Sequence, residues 1–332
     1  MKNNYLLLLF LGGLLSCSEE EKAIETVTEE VERGAVVRTL TINNTDFDIL
    51  DLQSTFHIDI EEMDIEDGGL LEEVEVSVQF KDNTPSNGTN SVSNTLLETI
   101  PASEWVSGPA PEELPRTSLI YTYEELLAIT GLTAGEVAVK DQFLVNLNLK
   151  LTDGRVFNAS NASSIIIAFN TFFSSPFCYT INMVAPIPED LFTGMYVMES
   201  ILDGPNGQTF VDINGQPFPN GTVVEITKGH SSNTREFLAR HNLHHVSIEL
   251  PRRWEFTVVD DQIVMGKNQL SSPEGWCTRN SAPTLLGPDT VNGAGNLNDD
   301  SVFELWFVEG YLGFDGNCNY GTAPSRYRFS KQ

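Results

Sequence analysis

The chain of 332 residues carries 47 acidic against 19 basic side chains, a formal net charge of −28. That charge repels phosphate backbones, so nucleic acid is not an expected partner, while solubility on a crowded surface is its ordinary consequence. The length exceeds what a single hydrophobic core usually takes, so two domains are expected.

Residues 1–16 read as a secretory signal. Lys2 supplies a positive start, Tyr5 to Leu15 an apolar stretch broken by Gly12 and Gly13, and Leu14-Leu15-Ser16-Cys17 a cleavage region. The apolar run is shorter than the ~20 residues of a membrane-crossing helix. This segment resembles bacterial lipoprotein signals, in which the cysteine is acylated and becomes the new N-terminus, and the resemblance makes Cys17 the lipid anchor. Ser18-Glu19-Glu20-Glu21-Lys22 is similar to the acidic export signal of Bacteroidota surface lipoproteins. It implies a place on the outer membrane, facing the cell exterior and held by lipid alone. Residues 17–34, with Glu25, Glu29, Glu30 and Glu32 and few large apolar groups, cannot bury enough surface to offset their ordering entropy and read as an acidic tether.

With Cys17 lipidated, Cys178, Cys277 and Cys318 remain. An oxidising compartment suggests one disulfide and one leftover thiol. Cys277 with Cys318 is the favoured pair, because both stand among loop-forming Gly, Asn and Ser residues; closing that loop of roughly 41 residues contributes about 4 kcal/mol in the chain-entropy picture. Cys178 reads as the start of a buried strand, and its alternative pairings stay open.

From Ala35 the pattern turns to short alternating runs. Phe56, Ile58 and Ile60 share one face while His57, Asp59 and Glu61 share the other, as a half-buried strand requires. Val74, Val76, Val78 and Phe80 repeat the device, as do Phe143 to Leu151, which end at the Asp153-Gly154 turn. One short helix is expected over Tyr123 to Ile129, capped by Thr122, with Glu124 and Glu125 in its first turn and Gly131 at its end. The class is therefore all-β: an immunoglobulin-like sandwich over 35–172, a proline-marked linker over 173–190 with Pro176, Pro186 and Pro188, and a second β-rich domain over 191–332. Strands are expected in the second domain at Phe192 to Met198, Thr222 to Thr227, His245 to Leu250, Trp254 to Val259, Gln262 to Met265, Val302 to Glu309 and Arg326 to Phe329.

The layout resembles accessory surface lipoproteins of Bacteroidota associated with Sus-type uptake systems. The features that carry this are Leu14 to Lys22, the Lys81-Asp82-Asn83-Thr84-Pro85 loop, Thr152 to Phe157, Ser175-Pro176-Phe177 and Phe192 to Tyr196. The resemblance implies an outer-membrane β-barrel or other surface lipoproteins as partners, and supplies no catalytic residues.

Chemistry concentrates in a basic island, Lys228 to Trp254, which holds Lys228, His230, Arg235, Arg240, His241, His244, His245, Arg252 and Arg253. Arg240, His241, Arg252 and Arg253 with Trp254 suit an anion or acidic-glycan site; the plainer reading is an exposed hairpin whose cations pair with acids of the first domain or a partner. His241-x-x-His244-His245 invites a metal, but in a strand His244 and His245 point to opposite faces and no acid completes the motif, so no metal and no cofactor are expected. The acidic runs at Asp59 to Asp67 and Asn298 to Asp300 could ligate calcium through clustered oxygens, but they lack the EF-hand pattern and a solvated rim is the plainer reading. Trp105 and Trp276, in loops, are candidate sugar-stacking platforms, whereas Trp306 lies in an apolar run and reads as core. No nucleophile elbow, phosphate loop or zincin helix occurs. The expected function is a non-catalytic accessory or binding lipoprotein, with a glycan or peptide as ligand. A hydrolase whose acids lie in the second domain and a stand-alone glycan-capture protein are the alternatives.

Overall fold

The computed structural model describes residues 34–169, 171–204, 217–241, 251–272, 284–309 and 323–332. The chain is all-β, as its alternating pattern requires. The first ten strands are β1 (Val36–Asn44), β2 (Asp46–Asp48), β3 (Thr55–Met63), β4 (Leu71–Lys81), β5 (Val92–Pro101), β6 (Val106–Ser107), β7 (Pro115–Thr122), β8 (Gln142–Leu151), β9 (Val156–Phe157) and β10 (Cys178–Val184). They form two facing sheets, ordered β1-β3-β7-β6 and β2-β10-β8-β4-β5. Phe56, Ile58 and Ile60 of β3 meet Val74, Val76 and Val78 of β4 and Phe143, Val145 and Leu147 of β8 in one buried cluster. Helix α1 (Tyr123–Thr130) starts at a reciprocal cap, Thr122 Oγ1 accepting from Glu125 N while Glu125 Oε2 accepts from Thr122 N, and stops at Gly131 with φ of 71°.

The expected linker over 173–190 is corrected. Its middle, β10, is a strand of the sandwich, antiparallel to β8 and parallel to β2, because Tyr179, Ile181 and Met183 alternate inward to the core. The stretch after β10 is pinned to the later strands: Asn233 Nδ2 donates to Ala185 O at 3.0 Å and Arg235 Nη2 to Pro188 O at 3.0 Å.

The later strands are β11 (Gly194–Leu202), β12 (Thr222–Lys228), β13 (Thr234–Ala239), β14 (Arg252–Val259), β15 (Gln262–Met265), β16 (Gln269–Ser272), β17 (Thr284–Pro288), β18 (Gly293–Ala294), β19 (Val302–Glu309) and β20 (Ala323–Lys331). Antiparallel pairing runs β19-β20-β11-β12-β13-β14-β15, and a parallel pairing of Val264 with Trp306 returns β15 to β19. The sheet thus curls into a barrel. Its interior is filled by Tyr196, Phe218, Phe237, Trp254, Phe256, Phe303, Phe307, Tyr327 and Phe329, which leaves packed rings, not a ligand chamber, at its centre.

Polar contacts join sandwich to barrel, among them Thr45 with His230, Asp46 with Ser231, Lys140 with Asp260 and Asp261, and Thr180 with Lys267. Phe169 N also donates to Asn268 O at 2.7 Å.

Candidate functional site

Between the outer face of the β2-β10-β8-β4-β5 sheet and the barrel lies a cleft of about 570 Å³, within the size range of small-molecule sites. Strand alternation makes its floor. Tyr179 and Ile181 turn inward, so Cys178, Thr180 and Asn182 turn outward into the cleft. The pairings Lys81 with Gln142, Gln142 with Asn182 and Asn182 with Asp46 lay one polar row across four strands. Three of its members are hydrogen-bonded in series: Gln142 Nε2 donates to Asn182 Oδ1 at 3.0 Å, and Asn182 Nδ2 donates to Asp46 Oδ1 at 3.1 Å. The opposite wall comes from the barrel, with His230, Glu255, Gln262, Lys267, Asn268 and Gln269.

Where the walls meet, Thr45 Oγ1 lies 2.8 Å from His230 Nε2, and His230 Nδ1 lies 3.1 Å from Glu255 Oε2. The order hydroxyl, imidazole, carboxylate is that of a nucleophile relay. Burial disfavours the charged ring, but the Glu255 hydrogen bond and the charges of Glu255, Asp46 and Glu236 outweigh it and raise the His230 pKa. Whatever its protonation, the ring links the Thr45 hydroxyl of the sandwich to the Glu255 carboxylate of the barrel across the seam. Burial also raises the pKa of Asp46, against the pull of its Ser231 and Asn182 hydrogen bonds and of His230.

Two further groups face the cleft. Burial pushes the free Cys178 thiol up, with Lys267 pulling back. Lys267 is exposed along its stem, yet its ammonium donates to Thr180 Oγ1 at 2.8 Å and is crowded by protein; that burial, with repulsion from Lys81, lowers its pKa.

The residues picked out from sequence sit mostly elsewhere. Trp254 is fully buried, its Nε1 donating to Ala239 O at 3.0 Å inside the barrel, so it offers no stacking face. Trp105 is buried in the sandwich core. His241 lies inside the barrel with Nε2 2.7 Å from Glu309 Oε1, against the rings of Phe218 and Trp254. Arg240 is exposed at the end of β13. Arg252 Nη1 donates to Leu270 O at 3.3 Å, while Arg253 stands 3.3 Å from Glu236 and lines a second, adjoining cleft of about 410 Å³. Among the described residues the basic island is divided: Lys228, His230 and Arg253 line the second cleft, while Arg235, His241 and Trp254 are buried, and β14 sends Trp254 inward and Arg253 outward because neighbouring strand positions face opposite ways. Trp306 reverses in the other sense. Phe303, Leu305 and Phe307 take the inward positions of β19, so Trp306 is half-buried on the outside under the Arg326 guanidinium, 4.1 Å from its centroid. Among the described residues no group of three or more His, Cys, Asp or Glu side chains is arranged to hold a metal ion. Cys17, Trp276, Cys277, Cys318, His244 and His245 lie outside the described residues.

No motif announces the cleft, because Thr45, Lys81, Gln142, Thr180, His230, Glu255 and Lys267 are scattered over the chain. The one sequence signal is the polar face of Cys178-x-Thr180-x-Asn182 on an otherwise apolar strand. In comparison with known proteins, no family model matches the chain and no curated protein is detectably similar to it.

Proposed function

We propose that this is a non-catalytic, lipid-anchored protein of the cell exterior, held to an outer membrane through Cys17. It serves as the binding or accessory component of an uptake or assembly complex, with an immunoglobulin-like sandwich as its first module. The observation that carries the binding reading is the cleft between sandwich and barrel, walled by side-chain amides, hydroxyls and lysines from both. Such walls favour a polar ligand, a glycan or a peptide, through many directional hydrogen bonds. The lipoprotein features of Leu14 to Lys22 support the address. Mass spectrometry of the protein extracted from membranes should find an acylated Cys17 at the amino terminus. Protease added to intact cells should degrade the protein, and gentle cross-linking should recover a β-barrel or lipoprotein companion. An unmodified terminus, or protection from protease, contradicts the proposal.

A further inference from the structure

The geometry points to an oxyanion subsite formed by Lys81, Lys267 and Thr180 in the cleft, which selects an acidic sugar, one bearing a carboxylate, over its neutral counterpart. The inference rests on the reading of the cleft as a binding site and narrows it.

Six lysines fall among the described residues. Four of them hold carboxylates: Lys140 on Asp260 and Asp261, Lys150 on Glu73 and Glu75, Lys228 on Glu189, and Lys331 on Asp300. The other two, Lys81 and Lys267, form no ion pair among the described residues, and both line this one cleft. In a chain with 47 acids to 19 bases, a carboxylate is the commonest charged neighbour a lysine can find. Two cations that line the same cleft without one constitute an unmet demand for negative charge. Burial lowers the Lys267 pKa and repulsion from Lys81 adds to it; an anion entering the cleft offsets both.

The remaining chemistry suits a sugar acid. Thr180 Oγ1 accepts from Lys267 Nζ at 2.8 Å and keeps its own hydrogen to donate. Gln142 and Asn182, on the same floor and locked to each other, present amides of fixed orientation to neighbouring hydroxyls. Lysine, a point charge without the arginine fork, neutralises a carboxylate without demanding one angle of approach.

The test is calorimetry on the full chain with three probes: trigalacturonate, the uncharged galactose trimer and potassium sulfate. Trigalacturonate should bind at least tenfold tighter than the neutral trimer, and the gap should shrink as salt rises. Lys81→Ala and Lys267→Ala should each weaken trigalacturonate about tenfold and leave the neutral trimer unchanged, while Lys267→Arg retains most of the affinity. Unaltered melting curves confirm that the variants fold. The inference is overturned if the lysine variants bind trigalacturonate as wild type does, or if sulfate binds as tightly as the sugar acid. A neutral trimer bound equally well also overturns it, but leaves the cleft standing as a binding site. If none of the probes binds, the acidic-sugar inference fails, and the cleft reading fails with it only if ligands of other chemistry are also indifferent to substitutions in the cleft.

Discussion

Replacing Glu62 with Gln should make the protein more stable at pH 9 and leave it nearly unchanged at pH 5. Glu62 lies on the core-facing side of β3, in line with Phe56, Ile58 and Ile60, and is wholly buried, with neither carboxylate oxygen hydrogen-bonded. Burial, assisted by the neighbouring charge of Asp64, pushes its pKa up to about 8. In the unfolded chain it titrates near 4.5. Between those values the folded state holds a proton that the unfolded state has lost, so this group's contribution to stability falls as pH rises from about 4.5 to about 8. The full shift corresponds to a loss on the order of 3–5 kcal/mol. The loss is roughly 5–15 °C in melting temperature for a protein of this size. Acid unfolding of the other carboxylates acts in the opposite sense at low pH, so the quantity to follow is the melting-temperature difference between Glu62→Gln and wild type. It should grow from near zero at pH 5 to its full value above pH 8. A difference that does not change with pH contradicts the assignment.

Arg235→Met should be the most damaging single change in the barrel hairpin. The Arg235 side chain is completely buried and forms no ion pair with a carboxylate among the described residues. Its guanidinium donates instead to four carbonyls, with Nε to Leu191 O at 2.8 Å, Nη1 to Ser232 O and Thr234 O at 2.9 Å, and Nη2 to Pro188 O at 3.0 Å. Those bonds tie the connection that enters the barrel to the turn before β13. Removing them leaves several buried carbonyls without donors, each costing about 1–3 kcal/mol. A total loss of roughly 3–5 kcal/mol is expected after partial relaxation. Denaturant titration should show it as a lower midpoint, and Arg235→Lys should recover less than half, since an ammonium cannot span four acceptors. A midpoint within about 1 kcal/mol of wild type rules out this pinning role.

Period-2 alternation made most strands legible. Gln262 to Met265 and Val302 to Glu309 coincide with the structure, and the helix over Tyr123–Thr130 follows from Thr122, Glu125 and Gly131. What the sequence hid was pairing between distant strands. Nothing local states that β10 slots between β2 and β8, so a proline-marked stretch reads as a linker; nothing local states that Val264 meets Trp306 and closes a barrel. The site failed to show for the same reason. Arg and His clustered in sequence around 240 suggest a common function, but a strand sends neighbours to opposite faces, and Phe237 of β13, Trp254 of β14 and His241 just after β13 fill a core. The cleft is built from the polar sides of β4, β8 and β10 with a turn of the barrel, and their proximity exists only in three dimensions.

The measurement that bears most directly on the central claim is a glycan and peptide array read with wild type, Thr180→Trp and Ile120→Trp. Thr180 lies on the cleft floor, whereas Ile120 is 52% exposed on β7, in the other sheet. A ligand retained by wild type and Ile120→Trp but lost by Thr180→Trp is the predicted result. Undiminished binding by Thr180→Trp would contradict the claim that this protein works through the cleft between its two β modules.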